Sequence, residues 1–223
     1  MPSIILYHMI GSPPCRTINL LANHLGIKLN PKTISLREGE HLKEEYLRIN
    51  PQHTVPTIKD GDFILWESRA IAIYLASAYG KDSDLYPEDP KTRAVINRLL
   101  FFDNEKLYKG FTDYLFPVMF LGATSFNNEK KEKLVEALNF LETFLSKHNF
   151  SAADHLTIAD FCLVVSVTSI AVSDIVDLSD YKKINEWLER CRTQIKDFAE
   201  VNDKDAEGFR SFVKERVAAN LKN

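Results

Sequence analysis

Residues 80 to 91, GKDSDLYPEDPK, split the chain into two stretches that obey different periodicities. Upstream of this charged, proline-containing segment, short strand-like runs alternate with helical patterns; downstream, every periodic segment is helical. SIILYH at 3–8 is a strand candidate, and Cys15, Ile18, Ala22 and Leu25 then recur at helical spacing until Gly26 ends the segment. The extended LNPKTISL comes next. TVPTIKDGDFILW at 54–66 is a hairpin, two apolar runs joined at Asp60-Gly61, a pair that tolerates positive φ. Ser68 is expected to cap a helix carrying Ile71, Leu75 and Ala78 on one face, stopped by Gly80. Beyond the break, Asp89-Pro90 reads as an N-cap with proline at the first helical position, opening a long helix that Pro117 should end or kink. Residues 129–147 are amphipathic through Leu134, Leu138, Leu141 and Leu145. LTIADF at 156–161 is a capping box, Thr157 answered by Asp160 with Leu156 against Phe161, and it opens a helix apolar all round.

Composition removes several function classes. A chain of 223 residues with 45% hydrophobic content can bury one sizeable core or two modest ones, and its net charge of −3 supplies no field for nucleic acid or an anionic membrane. The longest apolar stretch, FCLVVSVTSIAV, is too short to span a bilayer and is broken by hydroxyls. The first residues have no basic n-region and no small-residue cleavage site, so a cytoplasmic protein is expected. Cysteines 15, 162 and 191 form an odd set without metal-like spacing, as suits reduced thiols, and the Asn149-Phe150-Ser151 sequon should then be silent. No metal is expected. G-x-G-x-x-G, the P-loop, G-x-S-x-G and H-E-x-x-H are absent, which leaves nucleotide, serine-hydrolase and zinc-protease readings without support.

A strand followed by SPPCR, then HTVPT before a hairpin, then ES opening a helix, is the layout of a thioredoxin-like sheet that holds an extended peptide thiol. SPPCR, GEHL, NPQHTVPT, LWESRAI, LYPEDP and LTIAD stand in an order and spacing that resembles the insect delta/epsilon class of glutathione transferases, delta slightly favoured by SPPCR and the C-terminal pattern, over nearly the whole chain. The resemblance implies an α+β thioredoxin-like glutathione-binding domain at 1–80, a linker at 81–91, and an all-α domain at 92–223 that supplies the electrophile pocket and a homodimer interface. It implies glutathione as co-substrate and conjugation to hydrophobic electrophiles. His41 and His53 would reach the glycyl carboxylate, Val55-Pro56 as a cis peptide would offer the Val55 backbone to the cysteinyl unit, and Glu67, Ser68 and Arg69 at a helix start would offer backbone N–H groups to the γ-glutamyl carboxylate. Asp103 would reach the γ-glutamyl ammonium of the other subunit, with an intrahelical salt bridge as the alternative. His8, His24, His148 and His155 have no such match and are read as structural.

SPPCR poses a choice between two nucleophile-like residues. Cys15 opens the apolar stripe and should face the core, where a thiol stays protonated. Ser12 precedes the helix and can donate to an incoming sulfur. Holding a thiol about two units below the ~8.5 of free cysteine takes roughly 3 kcal/mol, and one hydrogen bond to a charged acceptor contributes about 1.5–3 kcal/mol. Ser12 is therefore sufficient, and is the expected catalytic residue; it donates and never attacks.

The electrophile pocket is expected between the domains, lined by Met9, Pro13, Tyr108, Phe116, Met119, Phe120, Phe209 and Phe212, although aromatic residues at helical spacing are as often core. FFDNEKLY departs from the family by carrying Asn104, Glu105 and Lys106, and SAADHL lacks the usual glycine before its cap. Asp113 admits a pocket-facing and a solvated reading, of which the solvated one is favoured. Peroxide reduction or dehydrochlorination by the same thiolate, non-catalytic binding of apolar ligands, and disulfide chemistry at Cys15 are the competing functions; a serine where the last needs its cysteine argues against it.

Overall fold

The computed structural model describes residues 4–81 and 83–221. Ser3 of the expected first strand and Asp82 of the expected linker lie outside the described residues. The N-terminal part is a four-stranded sheet in the order β2-β1-β3-β4, built from β1 (Ile4–His8), β2 (Leu29–Thr33), β3 (Thr57–Asp60) and β4 (Phe63–Trp66). β1 pairs parallel with β2 and antiparallel with β3. A parallel pair needs a crossover, which α1 (Pro13–His24) provides. Ile4 and Leu6, both without exposed surface, pack with Ile18, Leu21, Ile71 and Leu75 of α1 and α3 (Ser68–Tyr79), whereas Tyr7 turns to the opposite face and meets Tyr46 of the short α2 (Glu44–Leu47) edge-on. The β3–β4 turn consists of Gly61 (φ 59°) and Asp62, since Asp60 already pairs with Phe63; the expected Asp60-Gly61 joint lies one residue further along. Asp60 instead accepts hydrogen bonds from the Tyr74 and Tyr79 hydroxyls, fastening the hairpin to α3.

The C-terminal part is helical. Asp89 accepts from the Thr92 N–H at 2.8 Å and caps α4 (Pro90–Phe102). The path continues through a π-helical turn at Asp103–Leu107 into α5 (Tyr108–Phe120), with Pro117 three residues from the end. The carbonyls of Val118 and Met119 at that end accept from Asn220 (2.6 Å) and Arg216 (3.2 Å) of α9 (Lys204–Asn220), so the last helix closes over the one proline has weakened. α6 (Asn128–Phe144) buries Leu134, Leu138 and Leu141, and Leu145 just beyond it. α7 (Ile158–Val172) is the centre of this part, with every residue from Ile158 to Ile170 buried. Asp160, without exposed surface, accepts from the N–H groups of Thr157 and Ser151 and from the indole of Trp187 on α8 (Lys182–Gln194), at 2.8–2.9 Å. The SAADHL turn thus closes without glycine, tied to the α7 start through Ser151. Among the described residues no helix is long and apolar enough to cross a membrane.

Candidate active site

The sheet brings three separate segments to one place. The β1–β3 register ends with Tyr7 opposite Thr57, which Trp66 of β4 faces on its other side, so the β1–α1 loop, Val55-Pro56 and the start of α3 all leave the sheet at one end. The Val55-Pro56 peptide is cis, and the Val55 backbone N–H and C=O have no partner among the described residues. Tyr46 and Asn50 hold this loop in shape: the Tyr46 hydroxyl donates to the Thr54 carbonyl at 2.6 Å, and the buried Asn50 amide donates to Thr54 and to the Thr57 hydroxyl at 2.9–3.1 Å. Neither residue stands out in the sequence. The only signal is the polar, proline-flanked character of NPQHTVPT, whose asparagine reads as a turn former.

Ser12 is the N-cap of α1, with extended backbone and a hydroxyl that makes no bond to the helix backbone. Pro13 and Pro14 at the first two helical positions have no N–H, so the donors that normally give a helix start its affinity for anions are depleted here and the hydroxyl gains in relative weight. Cys15 is 1% exposed. Burial pushes its thiol up to about 11, against hydrogen bonds with Ser12 and the Met9 backbone, so it is protonated at neutral pH.

His41 and His53 lie together, their ring centroids 5.9 Å apart, and Nδ1 of His41 is buried without a partner among the described residues. Helix α3 begins one residue earlier than expected, at Ser68 itself. Glu67, not Ser68, is the N-cap, with φ of 69°, a left-handed conformation that costs a non-glycine residue about 1–3 kcal/mol and concentrates at functional sites. Ser68 is the first helical residue, and its hydroxyl accepts from Arg69 at 2.9 Å. Arg69 donates to Asp103 through Nε (3.0 Å) and Nη2 and lies 5.0 Å over the Tyr108 ring. Burial would lower the Arg69 pKa, but Asp103 outweighs it and holds the guanidinium above its usual range. Asp103 itself has no exposed surface and also accepts from the Ser166 hydroxyl of α7 at 2.7 Å. Within this chain the carboxylate pairs with Arg69 of α3 and not, as the alternative expectation had it, within its own helix. The π turn rotates it inward, where it locks Arg69 to α7. Ser166 cannot be singled out from sequence, because nothing local distinguishes it from Thr168 and Ser169 in the same apolar helix.

Aromatic side chains form a connected wall. Phe111 meets Tyr108, Phe116 and Phe209 at 6.2–6.3 Å; Phe116 meets Phe120 at 5.2 Å, and Phe120 meets Phe212 at 6.0 Å. Phe120 and Phe212 are exposed, and Met9, Tyr108 and Phe116 are half-buried. Pro13 and Phe209 are nearly closed off. Met119 is a correction: it has no exposed surface and belongs to the core, since its position on α5 turns it toward the helix neighbours. Asp113 accepts from Lys109 (2.9 Å) and Lys130 (3.1 Å), whose ammonium groups hold its carboxyl below the usual range against partial burial. It is a tie between α5 and α6. Among the remaining histidines, His24 accepts from the Lys196 N–H and His155 contacts the Asp84 carbonyl. No cluster of metal-ligating side chains occurs among the described residues.

Comparison with known proteins places this geometry. The family model described as glutathione S-transferase, N-terminal domain, matches residues 6–83, and that for the C-terminal domain matches residues 111–194. Glutathione S-transferase D7 of Anopheles gambiae is 42% identical over 217 residues, 95% of this chain and 99% of that protein. The structure of a delta-class glutathione transferase from Nilaparvata lugens superimposes with a TM-score of 0.92 at 45% identity, covering 96% of this chain and 99% of the other. A glutathione transferase homologue from Drosophila mojavensis, solved with bound glutathione, gives a TM-score of 0.89 at 35% identity, covering 97% and 98%.

Proposed function

The chain belongs to the glutathione S-transferase family, and from that premise we propose that it binds glutathione along the sheet edge and adds its thiolate to hydrophobic electrophiles, with Ser12 donating the hydrogen bond that keeps the sulfur ionised. The observation that carries the reading is the pairing of a Ser12 hydroxyl that does not cap its own helix with a neighbouring Cys15 thiol that burial keeps protonated. The Val55 backbone, unpartnered among the described residues, fits the cysteinyl unit of an extended peptide, and the N–H groups of the first turn of α3, which follows the positive-φ Glu67, fit its γ-glutamyl carboxylate. His41 and His53 are suited to the glycyl carboxylate. Arg69 contributes its backbone, its side chain being engaged by Asp103. The wall of Phe116, Phe120 and Phe212 offers an apolar surface beside the thiolate, so the enzyme supplies pKa depression and proximity.

The test is turnover of chlorodinitrobenzene with glutathione, run beside a glutathione-dependent disulfide reduction. Conjugation without disulfide reduction is expected; binding of apolar dyes with neither activity would replace the enzyme by a ligand-binding protein. A cytoplasmic location and a homodimer belong to the same reading. Phe101, 71% exposed on α4, borders a groove of about 320 Å³ between α3 and α4, an apolar surface that a second copy would cover. Light scattering at micromolar concentration should give twice the chain mass, and the mass of a single chain would refute the dimer.

A further inference from the structure

Arg16 presents a physical problem that the roles assigned so far leave open. Its side chain is 1% exposed, and every hydrogen bond it makes goes to a neutral oxygen of α7: the Ser169 hydroxyl at 2.6 Å, the Val165 carbonyl at 3.3 Å and the Thr168 hydroxyl at 3.5 Å, all from Nη2. Nε and Nη1 are buried with no partner among the described residues. No carboxylate lies within ion-pair distance of it among the described residues. Asp205 and Asp203, at and just before the start of α9, are felt only through space, as is Tyr108 of α5; α7 and the adjoining Cys15 contribute no charge. A buried ion without a counter-ion carries a desolvation penalty of several kcal/mol that hydrogen bonds to hydroxyls do not offset. Pinning α1 to α7 would need only a neutral amide of similar length. The charge itself requires a use, and Arg16 is too enclosed to touch a ligand.

Its position supplies one. Arg16 lies four residues after Ser12, its N–H bonded to the Ser12 carbonyl at 2.9 Å, so the two share a face of α1. Helical side chains lean toward the N-terminus, which brings the guanidinium toward the serine. We propose that Arg16 is an electrostatic residue that does not contact the ligand, a buried and unneutralised cation whose field, acting through the domain interface, favours the glutathione thiolate held at Ser12. The inference rests on the Ser12 reading of the thiolate site. By Coulomb's law at an effective dielectric near 20, a unit charge ~10 Å from any thiol would move its pKa by roughly one, so a cation need not touch the sulfur to matter. Burial pulls the guanidinium down to about 10, so it remains charged throughout the pH range in which the thiol titrates.

The sign follows directly. A cation lowers the pKa of the bound thiol and its removal raises it, while removal of a nearby anion does the opposite. The experiment is titration of enzyme-bound glutathione by the ultraviolet absorbance of its thiolate, with glutathione affinity measured separately. Arg16→Met should raise the pKa of the bound thiol by about 0.5 to 1 and leave affinity within about threefold. Asp205→Asn, at a partly exposed position where folding is not at risk, should lower it by a few tenths. A folded Arg16→Met protein with an unchanged titration overturns the inference. Should Arg16→Met fail to fold, an unchanged titration in Asp205→Asn overturns it instead. Ser12→Ala in the same assay separates the two ideas: a change there with none from Arg16→Met removes Arg16 and keeps the serine, whereas no change from Ser12→Ala removes the reading on which both stand.

Discussion

Ser12→Ala is expected to raise the pKa of bound glutathione by about 1 to 2 and to lower kcat near neutral pH by about 10- to 100-fold, with glutathione affinity changed only a few-fold. The hydroxyl donates to the sulfur, and the bond gains most of its strength when the acceptor is charged, so its loss penalises the thiolate far more than the thiol. At any pH below the thiol pKa, raising that pKa by one leaves about a tenth as much reactive thiolate, so the alkaline rise of kcat/KM should move to higher pH and the deficit should shrink as pH increases. Two features make the serine difficult to replace. Pro13 and Pro14 remove backbone donors from the first turn of α1, and the hydroxyl is not spent on capping the helix. Cys15→Ala is the control. It should lose about 1 kcal/mol of stability by opening a small cavity and retain turnover. Unchanged turnover in Ser12→Ala, or a stable but inactive Cys15→Ala, would assign the chemistry to the wrong residue of the pair.

The contrast between these two neighbours shows what the sequence makes legible. Apolar spacing alone places Cys15 in the core and Ser12 ahead of that stripe, because a 3.6-residue period is a local property, but it does not show that Ser12 is itself enclosed, at 7% exposure. The same holds for α7, whose uniform apolarity marks a buried helix, and for the hairpin, whose glycine marks the turn to within one residue. Roles that depend on where a helix points after an irregularity are not legible. Asp103 looks like a surface acid in FFDNEKLY, and only the π turn at Asp103–Leu107 turns it inward. Met119 fits the aromatic pattern of a pocket wall, yet one position of helical phase separates it from Phe120 and decides between core and surface. Tyr46, Asn50 and Ser166 act through partners between 4 and 63 residues away in the chain, too varied a separation for any local pattern to report.

Asp103→Ala should destabilise the protein by about 3–5 kcal/mol, more than any substitution in the aromatic wall exposed to solvent. The carboxylate has no exposed surface and is shared between Arg69 and Ser166, so its removal strands a guanidinium that is only 16% exposed. Breaking a buried pair leaves an unpaired charge, whereas removing both partners need not. Arg69→Met combined with Asp103→Leu should therefore recover most of the lost stability in urea denaturation, and Ser166→Ala alone should cost about 1 kcal/mol. Function should not recover with stability. Arg69 reaches Asp103 from the second position of α3, two residues from the strained Glu67, and its stack on Tyr108 joins that helix start to α5. The double variant should fold with near-native stability yet bind glutathione several-fold more weakly, because the α3 start is no longer fixed against α7. Full recovery of both stability and glutathione affinity would show that the Arg69–Asp103 pair has no part in shaping the site. A double variant as unstable as Asp103→Ala would show that the cavity, rather than the stranded charge, sets the cost.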